Sequence, residues 1–162
     1  MIRAVQTTDA EAICAIYNYY ITDTVITFEE EVLTVIEMHQ RITSVLDADL
    51  PWLVVEDETG QVVGYAYAAK WRERFSYRFS VEVTAYLSPE RGGKGLGTQL
   101  YQQLFIILKA QGMHSAIGGI TLPNAASVAL HEKFNMEKVA HFKDVGLKFN
   151  RWLDVGYWQV TL

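Results

Sequence analysis

The stretch Arg91-Gly92-Gly93-Lys94-Gly95-Leu96-Gly97 packs four glycines into seven residues, between two segments of different periodicity. Before it, Phe79, Val81, Val83, Ala85 and Leu87 alternate with Arg78, Ser80, Glu82, Thr84 and Tyr86, the pattern of a half-buried strand with one polar face. After it, from Thr98, the residues Leu100, Tyr101, Leu104, Ile107 and Leu108 mark a helix that stops at Gly112. A glycine loop in this position aims backbone N–H groups and the positive end of the helix dipole at one point, which suits an anion and above all a diphosphate. Two familiar nucleotide loops fail on spacing. Gly93-Lys94 is followed by Gly95, where a Walker loop needs Ser or Thr, and Thr98 and Leu100 stand where a dinucleotide fingerprint needs a small residue.

Outward from the loop, Ser115 to Ile120 reads as a strand, Ala125 to Phe134 as a helix, and Glu137 to the C-terminus as two strands around a turn at Asn150. Upstream, Trp52 to Glu56 and Gln61 to Lys70 form a predicted hairpin about Asp57 to Gly60. Two helices precede it. The first has Thr8 and Glu11 at capping-box spacing and a stripe of Ile13, Ile16, Tyr17 and Tyr20. The second has a looser stripe of Val32, Val35, Ile36, Ile42, Val45 and Leu46. Helices, antiparallel strands and a β–loop–α–β–α–β tail predict an α/β fold with a mixed sheet.

The 162 residues contain no linker, repeat or low-complexity tract, so residues 1–162 are expected to form a single domain. With 50% hydrophobic and 20% charged residues there is ample material for a core. The longest run of large apolar residues, Leu104 to Leu108, is far below the roughly 18 that a membrane span requires. The net charge of −5 has the wrong sign for a general phosphate-attracting surface, so nucleic acid is an unexpected partner. One cysteine, Cys14, and scattered histidines predict neither a disulfide framework nor a metal site, and Met1 to Ala10 shows no secretory leader, so the expected location is cytoplasmic.

Two clusters carry candidate chemistry. Glu82 lies on the polar face of the strand before the glycine loop, within reach of a group whose diphosphate the loop holds. Burial against Tyr65, Tyr67 or Tyr86 would raise its pKa and make it a base, whereas an arginine partner would make it part of an ion pair. Trp71 to Arg78 gathers three arginines and three aromatics in an acidic chain, and Arg72 and Arg74 suit bidentate capture of a carboxylate or phosphinate.

The loop resembles the pyrophosphate loop of the GNAT superfamily of acyl-CoA-dependent N-acyltransferases, with Gly95 and Gly97 matching its two glycines and Arg91 one residue early. Ile16-Tyr17-Asn18, Pro51-Trp52-Leu53-Val54, Gly64-Tyr65-Ala66, the Tyr77–Glu82 block, the Asn124–Glu132 block and the Val145–Val155 block are together similar to the phosphinothricin/methionine-sulfone acetyltransferase branch. Asn135-Met136 departs from the usual Gly-Phe, and Asn tolerates the left-handed conformation expected there.

The resemblance implies a GNAT fold, acetyl-CoA as co-substrate and no metal. The acceptor would be a small amino-acid-like acid such as phosphinothricin, methionine sulfoximine, methionine sulfone or arsinothricin, consistent with a resistance role, and the assembly a homodimer. It assigns Glu82 as general base, and Phe28, Arg72, Arg74 and Tyr77 to the acceptor pocket. Thr84, Ala85, Tyr86, Gly92, Gly93, Lys94, Gly95, Leu96, Gly97, Asn124 and Lys133 fall to acetyl-CoA. His131 stands where many GNAT enzymes carry a tyrosine that protonates the departing thiolate; donor and structural helix histidine both stay open. Rival readings are acetylation of another small amine and a non-catalytic acyl-CoA-binding module.

Overall fold

The computed structural model describes all 162 residues. In chain order they form β1 (Ile2–Ala4), α1 (Ala10–Asp23), α2 (Val35–Asp47), β2 (Trp52–Glu56), β3 (Val62–Lys70), β4 (Ser80–Leu87), α3 (Leu96–Ala110), β5 (Ser115–Leu122), α4 (Ala125–Lys133), β6 (Glu137–Lys148) and β7 (Arg151–Thr161). The strands make one sheet in the order β1-β2-β3-β4-β5-β7-β6. Every adjacent pair is antiparallel except β4 and β5. This is the mixed sheet flanked by helices that the element order predicts.

Strand alternation sorts the core into two layers. Val81 and Val83 of β4 point with Ala66, Ala68, Ala116 and Ile120 into a cluster sealed by Leu100, Tyr101, Leu104 and Leu108 of α3. On the opposite face, Trp52, Val54 and Tyr65 meet Ile13, Ile16, Tyr17 and Ile21 of α1 and Met38 and Ile42 of α2. Glu82, Thr84 and Tyr86 alternate with the first set and therefore face the α1 side.

The β4–β5 pairing creates the opening that matters for function. It covers only Ser80↔Ser115, Val81↔Ala116 and Glu82↔Ile117, after which the two strands part. From Val83 to Leu87, β4 keeps β3 as partner on one edge and has no strand on the other. The hydroxyl of Tyr20 in α1 donates to the carbonyl of Leu87 at 2.6 Å and ties down the free end of β4.

Several local expectations shift. Thr7–Asp9 is a short 3₁₀ turn and α1 begins at Ala10, so Thr8 is not its cap. The Asp9 carboxylate instead accepts from the Gln6 N–H at 2.7 Å and from Arg3 at 2.7 and 2.9 Å. In α2 the buried residues are Met38 and Ile42, while Val35, Ile36 and Leu46 are exposed, so the expected stripe lies mostly on the outer face. Thr34 and Glu37 form the capping box of that helix. Helix α3 starts at Leu96, two residues before Thr98, because Gly95 takes the left-handed conformation (φ 76°) at its N-cap. The N-terminal residues Ile2–Ala4, to which the sequence pattern assigns no element, pair as β1 against β2.

Candidate active site

The parting of β4 and β5 opens a groove of about 450 Å³ that runs from the end of β4 to the N-terminus of α3 and along α4. Ala85 and Tyr86, Gly92, Gly93, Gly95 and Gly97, and Asn124 and Lys133 all line it. Gly93 and Gly95 both have φ 76°, and a Cβ at either would meet open space, so their role is conformational: they turn successive N–H groups toward the helix start. Gly97 is different, since a Cβ there would stand 3.4 Å from Leu130, where α3 and α4 approach each other. Lys133 reaches Thr98 Oγ1 at 3.5 Å, placing a cation at the same helix end. An anion-holding loop, a helix dipole and a lysine at one end of a long groove fit an acyl-CoA with its diphosphate at the loop. Lys94 and Leu96, expected at the cofactor, line instead a separate concavity with Arg91 and Asp57 on the outer side of the loop. Arg91 donates to Asp57 at 2.8 Å and holds the loop from outside the groove.

The groove continues into a cavity of about 230 Å³ that shares Ala85, Tyr86, Asn124 and Ser127 with it. Glu82, Thr84 and His131 line this inner end. Glu82 is half-buried, makes no salt bridge, and has its carboxyl pushed above the usual range by desolvation, with Arg72 as the one opposing charge. The tyrosines that respond to its charge are Tyr67, Tyr101 and Tyr157. Of the three tyrosines offered by sequence as neighbours, Tyr67 and Tyr86 line the same cavity as Glu82, and Tyr65 packs behind them on Trp52. A carboxyl held this way has no ion-pair partner and suits the acceptance of a proton.

His131 is buried and fully engaged. Its Nδ1 donates to the carbonyl of Ser127 at 2.7 Å, which fixes the tautomer, since a carbonyl only accepts. Nε2 then accepts from the Tyr101 hydroxyl at 3.1 Å, and burial lowers the imidazole pKa. The ring packs so closely on β5 that a Cβ at Gly118 would lie 2.3 Å from Nε2. Asn124 caps α4 by accepting from the Ser127 N–H at 3.1 Å while its side chain borders groove and cavity alike.

The acceptor-pocket residues divide. The Arg72 guanidinium stacks 4.7 Å from the Trp71 ring centre, near enough to Glu82 and Tyr157 to bias both. Arg74 and Tyr77 lie on the exposed segment between β3 and β4, outside the lining of the Glu82 cavity. Phe28 packs on β6, where a Cβ at Gly146 would come within 2.3 Å of its ring, and is likewise outside that lining. The segment carrying Phe28 is pinned over the site by Thr27, whose hydroxyl pairs with Tyr17 at 2.8 Å and whose carbonyl accepts from the buried Lys148 at 2.8 Å. Sequence reading missed Tyr101, Gly119 and Tyr157. Tyr101 falls on the apolar stripe of its helix, and the other two come to Glu82 only through the β4-β5-β7 strand order.

A sheet split beside a glycine-capped helix, with a half-buried unpaired carboxylate at the split, is the arrangement that an acyl-CoA-dependent N-acyltransferase needs. Residues 2–156 match the family model for the acetyltransferase (GNAT) domain. The chain belongs to the GNAT family of acetyl-CoA-dependent N-acetyltransferases. It is 39% identical over 158 residues to the phosphinothricin N-acetyltransferase of Streptomyces viridochromogenes, covering 98% of this chain and 85% of that one. It is 35% identical over 161 residues to the L-methionine sulfoximine/L-methionine sulfone acetyltransferase of Pseudomonas aeruginosa, covering 99% and 94%. The crystal structure of a phosphinothricin acetyltransferase from Sinorhizobium meliloti in complex with acetyl-CoA superposes with a TM-score of 0.98 at 36% identity, covering 100% of this chain and 88% of that one.

Proposed function

We propose that this protein transfers the acetyl group of acetyl-CoA directly to the α-amine of a small amino-acid-like acid. Phosphinothricin, methionine sulfoximine, methionine sulfone and arsinothricin are the candidate acceptors, and protection against such amino-acid analogues is the proposed role. The observation that carries the reading is Glu82, half-buried and without an ion-pair partner in the cavity that continues the glycine-lined groove. An amine of pKa about 8 or higher arrives as ammonium and has no lone pair to offer. Glu82 takes its proton, directly or through a water, and leaves the neutral amine beside the groove. Acetyl-CoA supplies the acetyl group activated as a thioester. The backbone of Gly92, Gly93, Lys94, Gly95, Leu96 and Gly97 holds its diphosphate, Thr84, Ala85, Tyr86 and Asn124 flank the pantetheine arm, and Lys133 faces the nucleotide end.

His131, with both ring nitrogens engaged, serves as a neutral brace between α4 and Tyr101. Arg72 draws the acid group of the acceptor, with Arg74, Tyr77 and Phe28 guarding the approach. The names of the relatives support the acceptor class. We further propose that the chain acts as one domain in a cytoplasmic homodimer; the exposed Val139, Phe142, Val145 and Leu147 of the edge strand β6 favour an apolar interface, which light scattering would detect.

The deciding experiment is a thiol-release assay with acetyl-CoA across amino-acid analogues. Release of CoA only when an acidic α-amine is present supports the reading. Binding of acetyl-CoA without release under any acceptor would favour an acyl-CoA-binding module, and release with polyamines alone would favour another small amine.

A further inference from the structure

Gly119 occupies the middle of β5, yet it is exposed while Gly118 and Ile120 on either side are buried. It lies two residues beyond the last β4–β5 pair, Glu82↔Ile117, and so on the same face as Glu82. The two adjacent glycines have different explanations. Gly118 is required by packing, because the His131 ring fills the space of its side chain. At Gly119 a Cβ would make an ordinary contact of 3.6 Å with Glu82 Oε1 and a tight one of 3.0 Å with the edge of the Tyr157 ring, which need give only by a few tenths of an ångström. Its φ lies outside the left-handed region, so the backbone does not demand glycine. What the missing side chain leaves is a hollow bounded by the Glu82 carboxylate and the Tyr157 ring. Beyond Tyr157 the aromatic wall extends through Trp71 on one side and Phe142 on the other, with ring centres 5.6 and 5.9 Å away.

We propose that Gly119 is a specificity-determining residue for the acceptor: the hollow beside Glu82 takes the methylenes that follow the α-carbon, and Tyr157 limits how many of them fit. The inference rests on the acceptor reading above. Whatever gives its proton to Glu82 sits against that carboxylate, so the carbon bearing the amine falls within a bond or two of the Gly119 surface. An unbranched chain can lie along a bare glycine backbone against an aromatic ring, and an added methyl group there competes with it for the same volume.

The test compares kcat/KM for L-methionine sulfone and for its homologue one methylene shorter, S-methyl-L-cysteine sulfone, in the wild type and in Gly119→Ala and Gly119→Val. The ratio of the two values within one preparation does not depend on how much protein is folded. Expected is a fall of about tenfold or more in the long-to-short ratio for Gly119→Ala and a larger fall for Gly119→Val, with the KM for acetyl-CoA unchanged. An unchanged ratio overturns the proposal. So does a shift confined to the preference for acetyl-CoA over propionyl-CoA, which would put the hollow on the acyl side. If the wild type itself releases no CoA with either sulfone or with phosphinothricin, the acceptor reading fails instead.

Discussion

Arg91 and Asp57 join the glycine loop to the β2–β3 turn through an ion pair of 2.8 Å, with the Asp57 side chain 11% exposed. Asp57 also accepts from Thr59 N–H and Oγ1 and from Gln61 N–H, at 2.9, 2.7 and 3.2 Å, so it is fixed before Arg91 meets it. The arginine thus acts on the loop's position and leaves the groove to backbone groups. Arg91→Ala is expected to raise the KM for acetyl-CoA by about two- to fivefold with kcat unchanged, the scale of a partly exposed pair. Steady-state rates at varied acetyl-CoA check this; the difference should shrink at high salt.

Gly95→Asp places a side chain at φ 76° and a negative charge at the start of α3. Backbone strain of about 1–2 kcal/mol combines with repulsion of the diphosphate. Acetyl-CoA affinity measured by calorimetry should fall at least about tenfold while the protein stays folded by circular dichroism. Unaltered affinity would remove the loop from cofactor binding.

Glu82→Gln should lower turnover by about 10²–10⁴ and leave acetyl-CoA affinity near wild type. Burial raises the carboxyl pKa in the folded state, so the wild-type rate should fall as pH drops through a value above the usual carboxylate range. That acidic limb should vanish in the variant. Stability follows the opposite sign. The folded protein holds this proton more tightly than the unfolded chain, so the wild type loses stability as pH rises from about 4.5 through the folded pKa. Glu82→Gln should therefore melt at or above the wild-type temperature at pH 7, and a clearly lower melting point would indicate an ion-pair role.

Arg72→Ala should raise the KM for the acidic acceptor by about ten- to a hundredfold, as loss of one charge-assisted contact does, while sparing acetyl-CoA. Neither arginine lines the Glu82 cavity itself, but Arg72 is the one close enough to bias Glu82 and Tyr157, so Arg74→Ala should do less. Equal losses for both substrates in either variant would point to scaffold damage.

Tyr101→Phe leaves His131 Nε2 without its donor inside a buried layer, at a cost of about 1–3 kcal/mol. Thermal melts should show a drop of several degrees. Because His131 is held neutral, the unfolded chain takes up a proton below pH 6.5 that the fold refuses, and stability declines as pH falls from there. His131→Asn should lack that part of the decline in melting curves between pH 5 and 7.

Local pattern made β4, the glycine loop and α3 legible in the sequence, because alternation, φ-permissive glycines and a 3.6-residue stripe adjoin one another there. The face of β4 on which Glu82 lies was legible for the same reason. The outward stripe of α2 was not, since Val35, Ile36 and Leu46 satisfy helical spacing as well as Met38 and Ile42 do, and only packing on Trp52 and Val54 decides which face turns inward. Strand β1 is too short to announce itself and exists through its three pairings with β2. Tyr101, Gly119 and Tyr157 meet Glu82 through sheet order and helix docking, which no local period encodes. Arg74, Tyr77 and Phe28 carry the right chemistry in the right order, but their distance from the cavity depends on loop paths set by other contacts, such as Phe28 on Gly146.

The three residue pairs that join β4 to β5 also make a mechanical statement. The sheet has β1 to β4 on one side of this seam and β5, β7 and β6 on the other. The seam is narrow for a central junction, and the amides of Val83 to Leu87 that point across it have no strand to shield them. Acetyl-CoA bound along the groove would touch both halves and act as mortar between them. Amide hydrogen exchange at Val83–Leu87 is therefore expected to slow sharply on adding acetyl-CoA, and the melting temperature to rise with its concentration, more than protection changes within either half alone.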